Sequence, residues 1–278
     1  MSYQLKKKLY NLLIYTLHIF VALIITFPFF WIVINSIKPR AEIYSYPVNY
    51  LPQNITFEHY EQIIGMDFEI FFLNSAMVGI GTGLLAVLIS IFPAYASARF
   101  DFFGKKPTMI SILFAQFFPQ IVFVVPFFIM LNRFGLMNSR LGLIISYLPF
   151  TTPIGVWMLR SFFIGLPREL EDAALVDGCS NFKVFYKIYL PLTLPGLSSV
   201  MIYAFLFSWQ ELMFAMSFLS RESVQTLPVF LTFFMGEYQI RWGPLFAVST
   251  IATIPPVVIF TLLQKYFISG LTGGAVKG

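Results

Sequence analysis

Charge is what this sequence has least of. Of its 278 residues, 11% are Asp, Glu, Lys or Arg, against roughly 25% in a soluble domain. The hydrophobic share is 58%. A soluble core cannot hide that much apolar surface, so the solvent to consider is a bilayer. Cysteine is nearly absent as well: Cys179 stands alone, which excludes an internal disulfide. Histidine is limited to His18 and His59, far apart on different segments, and no metal site is expected. His18 reads as a packed or interfacial residue rather than a ligand. No Gly-xxxx-Gly-Lys-Ser/Thr phosphate loop occurs, so the chain does not bind ATP by that route. The glycines of "GIGTGLL", Gly79 to Leu85, lie in an apolar run without lysine and suit close helix contact.

Long apolar runs are what the chain has instead. Six candidate crossings fall at about 9–37, 70–98, 107–132, 141–159, 194–218 and 243–263, each long enough to supply the roughly 20 residues that a helical crossing needs. The first is too long for a cleaved signal peptide and lacks a small-residue cleavage site. Prolines such as Pro28, Pro93, Pro119, Pro149 and Pro255 fall in these spans, where neighbouring helices satisfy the freed carbonyls. The expected fold is all-α, a single polytopic domain with six transmembrane helices.

Lys and Arg set the orientation. Twelve basic residues (Lys6, Lys7, Lys8, Arg99, Lys105, Lys106, Arg160, Arg168, Lys183, Lys187, Lys265 and Lys277) share the side of both termini. Six (Lys38, Arg40, Arg133, Arg140, Arg221 and Arg241) share the other. Both termini are therefore expected in the cytoplasm. Residues 38–69 form the first extracytoplasmic loop and 264–278 a cytoplasmic tail. This asymmetry accounts for the formal charge of +5 without nucleic acid as a partner. The first loop also carries "NIT" at Asn54 to Thr56, formally a glycosylation acceptor.

Inside the runs, Glu211 is the clear ionisable residue, beside Trp209 and Gln210. It either lines a polar cavity or an interhelix contact, or it sits near the outer surface of a bent fifth helix. These three residues are the pathway candidates. A proton-coupled carrier is expected to show more than one such group, which weakens the secondary-transporter reading.

One cytoplasmic stretch, 167–191, breaks the apolar pattern. Pro167 suits a first helical turn, and Glu169, Glu171 and Asp172 favour the helix dipole there. Gly178 can take the left-handed conformation that ends a helix, Ser180 is a ready N-cap for a second, and Pro191 is expected to close it. Phe182, Phe185 and Tyr189 recur at helical spacing, with Lys183 and Lys187 on another face. Physics alone allows a helical elbow lying on lipid headgroups or one inserted in a groove of another protein.

The spacing resembles the coupling motif of ABC-importer membrane subunits, Glu-Ala-Ala, three residues, Gly, nine residues, Ile, one residue, Leu-Pro. Here Asp172, Ala173 and Ala174 precede Gly178, and Ile188, Leu190 and Pro191 follow at matching distances. Asp replaces the first Glu, and adjacent Glu171 is a substitute for it. "FFLNSAMVGIGTGLLAVLISIFPAYASARF", "LNRFGLMNSRLGLIISYLPF", "FSWQELMFA" and "GLTGGAVKG" are similar to the same family. The chain thus resembles the smaller permease subunit of maltose/trehalose-type, carbohydrate-uptake ABC importers.

The resemblance implies the type I ABC importer permease fold in a prokaryotic cell membrane and a non-catalytic subunit. It also implies partners: a second permease subunit, two cytoplasmic ATPase subunits that use ATP and Mg, an extracytoplasmic sugar-binding protein, the sugar and membrane lipid. No cofactor is expected on this chain. The docking residues carried over are Asp172, Ala173, Ala174 and Gly178, with Ile188, Leu190 and Pro191 holding the elbow; Gly273, Gly274 and Lys277 of the tail are further coupling candidates. The implied substrate is a neutral di- or oligosaccharide. A glycerol phosphate or other polyol is the alternative; an outward-side phosphate would favour an Arg cluster near the pathway, and none is evident in the sequence.

Overall fold

The structure is a computed structural model describing residues 3–272, so Gly273, Gly274 and Lys277 lie outside the described residues. The described residues contain helices and no strand, only an isolated antiparallel bridge between Met235 and Ile240. Four helical stretches are long and apolar enough to cross a membrane: Tyr10–Ser36, Phe68–Arg99, Arg140–Gly165 and Trp242–Gln264. Two bent pairs, Lys105–Phe117 with Gln120–Arg133 and Asn181–Leu192 with Leu194–Gln210, bring the total to six if each pair is one span.

The chain forms two compact units. One comprises the residues up to Asp67 together with Leu231–Ile254, and the other comprises Phe68–Phe230 together with Pro255 onward.

In the first unit, α1 (Tyr3–Ser36) exposes large apolar side chains from Tyr10 to Phe30, such as Leu13, Ile19, Leu23 and Phe30. Bilayer lipid or another protein is their natural cover. Two short helices follow, α2 (Arg40–Ile43) and α3 (Glu58–Ile64). Buried Lys38 donates to Asn35 Oδ1 at 3.1 Å and to the Asn49 carbonyl at 2.6 Å, and its ammonium lies 4.8 Å from the Trp31 ring centroid. Burial pushes its pKa down, and nearby Glu42 opposes that. Glu42 closes the loop by accepting from the backbone N–H of Gln53 at 3.0 Å and of Asn54 at 2.9 Å. These bonds hold its carboxyl below the ordinary value of 4.5. The Asn54 side-chain amide also donates to Glu42.

In the second unit, α4 (Phe68–Arg99), α7 (Arg140–Gly165) and α11 (Leu194–Gln210) pack together. On α4 an exposed stripe of Leu73, Met77, Ile80, Leu84, Leu88 and Phe92 recurs at three-to-four spacing. The opposite face is small and polar: Asn74, Ser75, Gly79, Thr82, Ala86 and Ser90 are buried. A Cβ at Gly79 would lie 2.7 Å from the Phe205 ring of α11, so a glycine is required for this approach.

Helices α5 (Lys105–Phe114) and α6 (Val124–Arg133) are joined through a bend of 93°. Its cause is local: Phe118 precedes Pro119 and is forced into extended backbone, with ψ 128°. The run expected to cross at 107–132 is therefore strongly bent.

Candidate functional site

The elbow begins with α8 (Glu169–Val176), whose first turn holds Glu169, Glu171 and Asp172. Three acids there oppose the partial positive charge of the helix start. Its other end is a Schellman stop: Gly178 N–H donates to the Leu175 carbonyl at 3.0 Å and Cys179 N–H to the Ala174 carbonyl at 2.9 Å. Gly178 has φ +79°, and no atom lies within 4 Å of a Cβ built there. Backbone conformation, not crowding, demands glycine at this position.

Ser180 then caps α9 (Asn181–Val184), accepting from Lys183 N–H at 3.4 Å. The helix does not close at Pro191. It passes through a π-helical segment, Phe185–Tyr189, and then α10 (Leu190–Leu192), and breaks at Thr193 before α11. Pro191 has no N–H for an α-type bond, and Leu190 N–H reaches back five residues to the Phe185 carbonyl. Buried Thr193 donates its hydroxyl to the Tyr189 carbonyl at 2.8 Å, in the bend of 69°.

The elbow residues divide into two sets. Asp172, Ala173, Gly178 and Pro191 are exposed. Ala174 is buried in the cluster of Phe163, Val184, Phe185 and Tyr189, and Ile188 and Leu190 pack partly buried against that cluster. Glu171 turns inward, its carboxylate accepting the Tyr189 hydroxyl at 2.8 Å. It is therefore not a free substitute for Asp172.

Two residues absent from the sequence candidates hold this base. Arg99, the last residue of α4, places its guanidinium 4.4 Å from the Tyr189 ring centroid and donates to the Leu166 carbonyl at 2.8 Å. Tyr95 packs its ring on Phe163, Phe185 and Tyr189. The sequence signal for Arg99 was its place as the charge ending an apolar run; the helical spacing of Phe185 and Tyr189 pointed to an inward face.

The three pathway candidates diverge. Trp209 is buried, stacked on Phe205 at 5.3 Å and edge-on to Phe72 at 5.6 Å, and borders an apolar groove of about 330 Å³ with Met201, Pro255 and Ile259. Gln210 is exposed. Glu211 is buried at a helix break: α11 stops at Gln210, and α12 (Met213–Phe218) begins two residues beyond Glu211. Its carboxylate accepts Phe214 N–H at 2.9 Å, Ala215 N–H at 3.3 Å and the Tyr147 hydroxyl of α7 at 2.7 Å. Of the readings open from sequence, the interhelix contact is present through Tyr147, and so is the break in the fifth run.

Motif residues quoted only for their resemblance have structural work. Asn74 donates to the carbonyls of Ser223 at 3.1 Å and Gln225 at 2.8 Å and accepts from Arg140 Nε at 2.7 Å. Ser75 Oγ accepts Leu227 N–H at 2.7 Å, and Asn138 Oδ1 accepts the N–H of both Ser220 and Arg221. They tie down the segment after α12.

In the first unit a pocket of about 360 Å³ brings together Arg40, Tyr44, His59, Arg241 and Trp242. The Tyr44 hydroxyl donates to the Ile240 carbonyl at 2.7 Å, fixing the two arginine-bearing segments together. No paired arginines were evident in the sequence, because 200 residues separate them. Among the described residues no group of three or more His, Cys, Asp or Glu is arranged to hold a metal ion.

With the elbow and its buried base in view, the comparisons with known proteins are specific. Residues 86–273 match the family described as binding-protein-dependent transport system inner membrane component. The inner membrane ABC transporter permease protein YcjP of Escherichia coli K12 is 36% identical over 260 residues, covering 92% of this chain and 93% of that protein. The trehalose/maltose transport system permease protein MalG of Thermococcus litoralis is 35% identical over 264 residues, covering 94% of each. Among solved structures, a chain of a bacterial ABC transporter that imports the acidic polysaccharide alginate superimposes with a TM-score of 0.79, covering 96% of this chain and 99% of that one, at 23% identity. That likeness establishes the fold. The chain belongs to the inner membrane components of binding-protein-dependent transport systems, and it is a multi-pass ABC importer permease of the cell membrane.

Proposed function

We propose that this chain is one half of the translocation pathway of an ATP-driven importer of a di- or oligosaccharide, with both termini in the cytoplasm. A second permease subunit completes the pathway, an extracytoplasmic binding protein delivers the sugar, and two ATPase subunits carry the ATP and Mg. The chain itself binds no cofactor. The observation that carries this reading is the two-sided elbow: Asp172, Ala173 and Gly178 are outward, while Ala174 and Tyr189 are locked into the base.

Closure of the ATPase dimer moves the exposed tip of the elbow. The buried base passes that movement to α4, α7 and α11, giving alternating access. A rigid chain reversal at Gly178 is needed for this. The name of the Thermococcus relative supports a trehalose- or maltose-like sugar.

The test is transport by the whole complex. The native chain should copurify with an ATPase and a second permease. Gly178→Asp should insert normally but hydrolyse ATP without sugar uptake, because the left-handed backbone costs a non-glycine residue about 1 kcal/mol or more. Normal uptake by that variant removes the docking role, and uptake by this chain alone in liposomes makes it an autonomous secondary transporter. A second reading, a glycerol-phosphate importer, is favoured by Arg40 and Arg241 of the first unit's pocket, where Glu58 is the one lining carboxylate. Competition of labelled-sugar uptake by glycerol phosphate separates the two.

A further inference from the structure

We propose that a basic cavity at the start of α5 seats the phosphate of an anionic phospholipid. The cavity measures about 600 Å³ and is lined by Lys105, Lys106, Arg160 and Trp157, with Asp101 as its acidic residue. Asp101 is already matched by Lys105 at 3.0 Å, and that partner holds its carboxyl below the usual carboxylate range. Among the described residues no carboxylate lies within ion-pair distance of Lys106 or Arg160. The Arg160 guanidinium lies 5.7 Å from the Trp157 ring centroid, and Arg160 Nε and Trp157 Nε1 are buried donors with no acceptor. The wall thus carries two cations, Lys106 and Arg160, that no carboxylate of the described residues matches.

The flank of the cavity explains why the anion is a lipid. Along α5 and the turn after it, Ile110, Leu113, Phe114 and Phe117 are exposed by 54%, 37%, 60% and 80%. Phe103, at the cavity's edge in sequence, is fully exposed. Cations at the end of an apolar helix face match a phosphate whose acyl chains run along that face. Lys105, Lys106 and Arg160 all belong to the side that the distribution of basic residues assigns to the cytoplasm, where the leaflet is negative. The inference rests on that orientation, and not on which sugar is carried.

The full-length chain, purified with its partner subunits, can be placed in nanodiscs of mixed phosphatidylglycerol and phosphatidylcholine and its retained lipids counted by native mass spectrometry. Phosphatidylglycerol should be retained in preference, and Lys106→Gln with Arg160→Gln should reduce that preference about tenfold. Lys106→Gln alone, at an exposed side chain, should give part of the loss, while Lys183→Gln with Lys187→Gln should give none. Equal retention of the two lipids overturns the proposal, as does an unchanged preference in the Lys106 and Arg160 variants. Displacement of the lipid by millimolar inorganic phosphate also overturns it, in favour of a free-anion site. Loss of ATPase copurification with the lipid preference intact does so in favour of protein docking. A complex that keeps the lipid but imports no sugar overturns the transport reading and leaves this site standing.

Discussion

Glu211 is a carboxylate inside an apolar run, where an unpaired charge costs several kcal/mol. Its surroundings offset that cost with two backbone N–H groups, the Tyr147 hydroxyl and the start of α12. Glu211→Ala leaves those donors unanswered and should destabilise the protein by about 1–3 kcal/mol, read as a lower unfolding temperature in detergent. Glu211→Gln keeps an acceptor and should lose less. An equal loss from both would mean that the negative charge itself is required. Sequence exposed the residue but not its role, because "WQELMF" contains neither proline nor glycine to announce a break. Glu42 gives a pH dependence of known sign. Its folded pKa is lowered, so its contribution to closing the loop is complete above the ordinary value of 4.5 and fades as pH falls through the folded value. Amide exchange at Gln53 and Asn54, corrected for intrinsic rates, should rise at acid pH in the native chain and lose that dependence in Glu42→Gln.

At the scale of elements, the elbow is a tip and a base with different requirements. Tyr189→Phe removes the hydroxyl bond to Glu171 but keeps the ring under Arg99, whereas Arg99→Leu removes the cation and its bond to the Leu166 carbonyl. We expect both variants to bind the ATPase, with the ratio of sugar imported to ATP hydrolysed falling a few-fold for Tyr189→Phe and further for Arg99→Leu. Unchanged ratios would show that the base does not transmit force. The elbow was legible because its signals are local: acids in a first turn, a glycine at the stop and a serine at the next cap. The inward turn of Glu171 was not, because neighbouring acids on a helix differ by only about 100° of rotation and the choice between them is made by tertiary contact with Tyr189. The bend at Pro119 and the π-helical passage before Pro191 were hidden for a related reason. Proline marks where a hydrogen bond is lost, but not whether the helix stops, bends or rewinds.

At the scale of the molecule, scarcity of charge was enough to establish a membrane protein, since burial by lipid needs only length and apolarity. Side-to-side orientation depends on the basic residues, and the lone cysteine gives a direct test. Cys179 follows Gly178 in the elbow and is half-buried. A membrane-impermeant maleimide should label it in inverted vesicles and not in intact cells, with Cys179→Ser as the blank. Labelling in intact cells would reverse the assigned orientation. What no local reading supplies is the meeting of distant residues, such as Arg40 with Arg241 or Asn74 with Ser223 and Gln225.

The open space around Gly178 has one more consequence. Within this chain a Cβ at the reversal meets no atom within 4 Å, yet its φ of +79° is unfavourable for any L-residue. The constraint at this turn is therefore one of handedness: a D-alanine would sit there without strain, and its mirror image would not.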